Sequence, residues 1–210
     1  MVKGEVEYHL LQKHLSSAGL DEVGRGCLAG PVYAAAVILD YDALVGLPIK
    51  TREKIRDSKT LSKKQRSEMI SVIEEIAIAS AISFATVREI ESLGIVGATF
   101  LAMRRSLTDL SKPFDCLLID GNKPLEGYKG EQKTIVKGDQ LCYCIAAASI
   151  LAKESRDNYM REQAASFPDY GFDSHVGYGT KAHIEAVKKY GACSLHRRNF
   201  APIRDRLHYS

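Results

Sequence analysis

Leu20-Asp21-Glu22-Val23-Gly24-Arg25-Gly26 sets two adjacent carboxylates directly before an arginine flanked by glycines. Cys27-Leu28-Ala29-Gly30-Pro31 follows, and then an apolar run from Val32 to Leu39. Carboxylates at the edge of a buried strand are unfavourable unless something compensates their charge. Two further acids, Asp120 and Asp139, stand at similar junctions later in the chain. A fold for this sequence must accommodate all four beside its core.

The chain has 210 residues, the size of one ordinary domain with a core of its own. Residues 1–210 are therefore expected to form a single domain, with a helical C-terminal part from about residue 160 to 210. A formal net charge of +3 does not by itself indicate a polyanion partner, so the distribution of charge carries the argument. The five cysteines are odd in number and lack paired CxxC spacing, which argues against a zinc site or a disulfide framework. They read as buried thiols of a reducing compartment. No signal-peptide core and no membrane-length apolar stretch occurs, so a cytoplasmic location is expected.

The periodicity predicts a short helix over 5–15, strands over 18–23 and 31–40 that pair antiparallel, and a loop over 41–59. Eight basic residues fall between Lys50 and Arg66, around Asp57-Ser58-Lys59. Most such runs are solvated surface. This one leads into a capping box, Ser62 with Gln65, and a helix start beside Lys59 suits a phosphate. A third strand is expected over 77–87. A core stripe of Val96, Phe100, Met103, Leu107 and Leu110 follows on a helix, with Arg104 and Arg105 solvated. Strands are expected over 115–120 and 132–137, and one long helix opening at Gly138-Asp139. Ala146, Ser149 or Ile150, Lys153 and Asp157 share one side of that helix. An aromatic, glycine-rich loop over 167–179, a helix over 180–190 and a basic tail from His196 complete the chain.

Asp21, Glu22, Asp120 and Asp139 come from three segments and offer only oxygen donors. That is the donor set of Mg²⁺ or Mn²⁺, and two such ions about 4 Å apart serve phosphodiester hydrolysis. Asp139 taken alone reads better as a helix cap, and neighbours on a strand point to opposite faces, so Asp21 and Glu22 share ions only if the chain bends or if one contributes through its backbone or a water. Gly24 and Gly26 open their backbone groups to close approach, fit for a ribose 2′-OH, and Arg25 fits a phosphate. Tyr178, among glycines, suits either stacking on a sugar or base or anchoring a loop; composition favours neither. His175, His183 and His196 lack metal-ligand spacing.

These motifs, with Leu28-Ala29-Gly30-Pro31, Asp57-Ser58-Lys59, Ile119-Asp120-Gly121, Lys137-Gly138-Asp139, Ile145 to Lys153, Arg156-Asp157, Gly177-Tyr178-Gly179-Thr180 and His196-Arg197-Arg198, resemble bacterial ribonuclease HII from Gly19 to Arg204. The resemblance implies an α/β fold, a ribonuclease H-like mixed sheet flanked by helices with a helical C-terminal part. It implies cleavage of the RNA strand of RNA–DNA hybrids and at single ribonucleotides embedded in duplex DNA, leaving 3′-hydroxyl and 5′-phosphate ends. It assigns Asp21, Glu22, Asp120 and Asp139 to catalysis with two Mg²⁺ or Mn²⁺ ions. It assigns Gly24, Arg25, Gly26, Lys59 and Tyr178 to substrate binding. The chain departs from the family pattern at Gly94, Val176 and Asn199, where Asn, Lys and Ser are usual. Only about twenty residues precede the first acid, which favours this type over the related ribonuclease HIII with its N-terminal domain. The tail lacks a glutamine-and-aromatic clamp-binding motif, and a monomer without protein partner is expected.

The expected function is thus a metal-dependent endoribonuclease, one ion activating water and the other offsetting charge on the departing oxygen. The alternative is a non-catalytic hybrid-binding module, which would use the basic stretches but have no need of four acids.

Overall fold

The computed structural model describes residues 3–56 and 58–207, without the side chains of Lys59, Arg206 and Leu207. Asp57 lies outside the described residues. Five strands, β1 (Ser17–Val23), β2 (Val32–Leu39), β3 (Ala77–Ala85), β4 (Cys116–Asp120) and β5 (Glu131–Ile135), form one mixed sheet in the order β3-β2-β1-β4-β5. β1 pairs antiparallel with β2 and parallel with β4. The helices are α1 (Glu5–Leu11), α2 (Tyr41–Gly46), α3 (Ile49–Arg52), α4 (Lys63–Ile76), α5 (Val87–Asp109), α6 (Gly138–Leu141), α7 (Tyr143–Ser166), α8 (Phe172–His175), α9 (Lys181–Tyr190) and α10 (Ile203–Leu207).

Helices cover both faces of the sheet, so the central strands are apolar without alternation; every residue of β2 is buried. One face packs on α7 through Ala35, Val37, Leu118 and Ala146 to Ala148. The other packs on α5 through Ala34, Ala36, Leu117, Ile119, Ala98 and Ala102. The predicted strands stand, and Ser62 and Gln65 close their capping box on α4.

Several expectations change. The segment 41–59 is not all loop: Asp40 accepts from Asp42 N and Ala43 N and starts α2, and α3 follows. The helix from Gly138 is broken. Cys142 is extended at φ −122° and ψ 135°, so α6 is a single turn and α7 begins anew. On α5 the stripe packs at Met103 and Leu110, with Phe100 and Leu107 partly buried, but Val96, two residues past the kink at Gly94 (φ 69°, ψ 166°), is 39% exposed. The loop over 167–179 contains a 3-10 turn, Pro168–Tyr170, and the short α8. Arg105 is not merely solvated either: it pairs with Glu89 at 2.6 Å and donates to Phe84 O.

Gly19 sets the distance between β1 and α7. A Cβ built there would lie 2.2 Å from Cys144 C and 2.4 Å from Ile145 N, which are backbone atoms that cannot step aside. Gly19→Ala should therefore lower the unfolding free energy by about 2–3 kcal/mol, the usual penalty of an overpacked core, as read by urea denaturation. A neutral Gly19→Ala would mean that α7 rides loosely on the sheet.

Candidate active site

Asp21 and Glu22 lie near the C-terminal end of β1, Asp120 at that of β4 and Asp139 on α6. The parallel register pairs Leu20 with Ile119, so the next residues, Asp21 and Asp120, leave the sheet side by side. Both turn toward the α7 face, as strand alternation requires. Asp21 is 5% exposed, and its Oδ1 accepts from Glu22 N at 2.7 Å. Ser149, on α7, also hydrogen-bonds Asp21. Gly138 N donates to Asp120 Oδ1 at 2.7 Å and so ties α6, with the buried Asp139, to the end of β4.

Glu22 stands on the opposite face. It meets Arg25 at 3.0 Å and lines a cleft of about 90 Å³ with Arg25, Val96, Phe100, Asp120 and Lys123. The chain does not bend at this point, because β1 runs on to Val23 in register with β2. Among the described residues, no three His, Cys, Asp or Glu side chains are drawn together closely enough to hold a metal ion by themselves. The donor set nonetheless fits a hard cation. Burial pushes the Asp21 carboxyl well above the usual carboxylate range, and the charges of Glu22 and Asp120 push it further. A divalent cation there would relieve both effects, and a few carboxylates with water and phosphate oxygens are the ordinary shell of Mg²⁺.

Beside the acids, the segment from Arg25 to Pro31 is held by two fully buried arginines. Arg156 donates to the carbonyls of Ala29, Pro31 and Val176 at 2.8–3.0 Å. Arg197 donates to those of Arg25, Gly30 and Pro31 at 2.9–3.3 Å. Burial lowers Arg197 to about 10. Arg156 also explains Gly24, which has φ +92° and whose Cβ would lie 2.2 Å from Arg156 Nε. Gly26 differs, because nothing lies within 4 Å of a Cβ there, and its backbone borders open space. Arg25 is half exposed beside Glu22.

Tyr178 is half-buried, with Lys153 Nζ 5.1 Å from its ring centre. Its loop is docked on the arginine-held segment, since Leu28 N donates to Gly177 O at 2.9 Å. Ser58 Oγ lies 3.0 Å from Ser149 Oγ, so the turn carrying Lys59 abuts the residue that bonds Asp21. The Lys59 side chain itself lies outside the described residues. Arg66, from the basic run, is buried rather than solvated and pairs with Glu154 and Asp157 at 3.4 Å. Arg197 likewise turns the basic tail inward.

Residue-type reasoning missed the holding roles of Arg156, Arg197 and Ser149. An arginine following an alanine-rich, buried first half of a helix, as Arg156 does on α7, was the available signal.

Three histidines brace the Tyr178 loop. Cys193 N donates to His196 Nδ1 at 2.9 Å, so the His196 proton sits on Nε2. That nitrogen lies 3.0 Å from His183 Nε2, which must accept, and His183 Nδ1 then donates to Tyr178 O at 2.8 Å. His183 and His196 are both neutral in this arrangement. Burial pushes His183 down to about 4, and burial with the neighbouring His183 does the same to His196.

The family model for ribonuclease HII matches residues 18–203. Ribonuclease HII of Endomicrobium trichonymphae is 48% identical over 90% of this chain and 86% of its own length. Ribonuclease HII of Caldicellulosiruptor bescii is 43% identical over 93% and 92%. Ribonuclease H2 from Pyrococcus horikoshii OT3 superposes with a TM-score of 0.74 at 22% identity, over 93% of this chain and all of that one. Bst-RNase HIII in complex with Mn²⁺ gives 0.68 at 19%, over 93% and 70%. The fold is thus that of the type 2 ribonucleases H. Within that class the chain belongs to the ribonuclease HII family, and it is a metal-dependent ribonuclease H.

The histidine chain makes a pH prediction. Both folded-state pKa values are lowered, so between about 6.5 and about 4 the unfolded chain takes up protons that the native state refuses. The stability advantage of the parent over His183→Asn should therefore be full above pH 6.5 and shrink as pH falls toward 4, as measured by thermal unfolding of both proteins. An advantage that is constant across that range would contradict the neutral chain.

Proposed function

We propose that Asp21, Glu22, Asp120 and Asp139 hold two Mg²⁺ or Mn²⁺ ions, and that the site cuts RNA–DNA hybrids and single ribonucleotides in duplex DNA. The observation that carries the reading is the buried Asp21 carboxyl, pressed by Glu22 and Asp120 and, among the described residues, hydrogen-bonded by the neutral donors Ser149 and the Glu22 amide. When bound, such ions make a nucleophile of water at neutral pH and offset charge on the leaving oxygen.

This chain's own residues would do the rest. Asp21 and Asp120 would present oxygens on the α7 face, and Asp139 would join them from α6. Glu22 would reach the ends of both strands from the cleft on the other face. Gly26, with open space beside it, would let the backbone meet a ribose 2′-OH, the group that distinguishes RNA from DNA. Gly24 would fix the turn, and Arg25 and Lys59 would take phosphates. Tyr178, fixed from below by Lys153 and by the histidine chain, would meet the sugar at the RNA–DNA junction. Ends bearing 3′-hydroxyl and 5′-phosphate would result, and a cytoplasmic role in removing ribonucleotides from DNA would follow.

The test is a labelled DNA duplex with one internal ribonucleotide beside an all-DNA control, each with Mg²⁺, Mn²⁺ or chelator. Cutting at the ribonucleotide alone, only with metal, is expected. Asp21→Asn should lower the rate by about 10³-fold or more with the fold intact, because electrostatic groups at a reacting centre contribute on that scale. Binding without cutting in either metal would favour the hybrid-binding module. Cutting of long hybrids alone would remove Tyr178 and the glycine–arginine segment from junction reading.

A further inference from the structure

Residues Lys3 to Leu11 precede the segment that the family model matches. Their contacts nevertheless converge on the break between α6 and α7. Lys3 Nζ donates to Asp139 O at 3.3 Å. Gly4 N donates to Leu141 O at 2.8 Å. Glu7, 1% exposed, accepts at Oε1 from Tyr143 N and from Cys144 N, the latter at 3.2 Å. Gly4 must be glycine for this, since it has φ +83° and a Cβ would stand 3.0 Å from the Tyr143 ring. Leu10, buried in the α7-side core, anchors the segment.

A cap on α7 alone would need only the Glu7 bonds. The N-cap residue of α7, Cys142, offers no side-chain bond, and Glu7 supplies that function from a distant part of the chain. The bonds to Asp139 and Leu141 lie on the other side of the extended Cys142. One short segment therefore grips both helices and fixes the angle between them. That angle carries Asp139 on one side. On the other it carries Ser149, which bonds Asp21. Asp120 holds the same one-turn helix from the opposite side through Gly138 N.

We infer that Glu7 is a positioning residue for the acid cluster, and that the Lys3–Glu7 segment sets divalent-cation affinity by clamping the α6–α7 junction. The inference rests on the reading of the acids as a cation site. Two conservative variants separate reach from charge. Glu7→Asp keeps the charge but withdraws the carboxylate from the two amides. Glu7→Gln keeps the reach and drops the charge. Mn²⁺ binding by calorimetry and the Mg²⁺ half-saturation of hybrid cleavage are measured for the wild type, both variants and Asp21→Asn, with circular dichroism to confirm folding. Glu7→Asp should weaken Mn²⁺ binding and raise the Mg²⁺ half-saturation by about tenfold, the scale of outer-shell effects on metal sites, with Glu7→Gln close to the wild type. A folded Glu7→Asp that binds as the wild type does overturns the inference, and so does a Glu7→Gln that shifts as far as Glu7→Asp. If the wild type binds no Mn²⁺, or Asp21→Asn binds it equally well, the cation-site reading falls and takes the inference with it.

Discussion

The close seat of α7 on β1 is the constraint on which the rest depends. Gly19, without a side chain, admits the backbone at Cys144 and Ile145. That contact brings Ser149 against Asp21 and buries the carboxyl beside Asp120. The acid is then kept from water, flanked by like charge, and answered among the described residues by neutral donors. Few purely structural carboxylates sit so, since a turn or cap would serve at the surface without that penalty.

The second organising choice is to use buried arginines on backbone rather than on carboxylates. Arg156 and Arg197 hold carbonyls of one loop, and through them the C-terminal helices are joined to the strand ends. Inward-turned carbonyls leave the tip at Gly26 facing open space. The histidine chain extends the same scaffold to Tyr178. Rigid support under a loop is what a reader of backbone and sugar needs, because a small misplacement costs the geometry of the reacting atoms.

Much of this was legible in the sequence. The apolar runs at Val32–Leu39 and Cys116–Asp120 gave strands because both faces are covered. The capping box at Ser62 and Gln65 named a helix start through local bonds alone. The junction acids were visible because charge interrupts core elements there. What could not be read depended on distant partners. The break at Cys142 has no turn residue to announce it, since its bonds come from Lys3, Gly4 and Glu7. Val96 carries a core residue's chemistry, yet just past the kink at Gly94 it borders the cleft. The inward turn of Arg66 and Arg197 could not be read from a basic run and a basic tail, because their partners lie on α7 and on the loop before β2. Asp21 and Glu22 point to opposite faces and β1 does not bend between them, which leaves a contribution through backbone or water as the way for both to serve the same ions.

The most direct test of the account is anomalous diffraction from crystals soaked in Mn²⁺. The account predicts a peak coordinated by Asp21, with Asp120 and Asp139 on the α7 side and Glu22 approaching from the cleft. Mn²⁺ that supports cleavage yet gives no peak at Asp21, or a peak held by other residues, would contradict it.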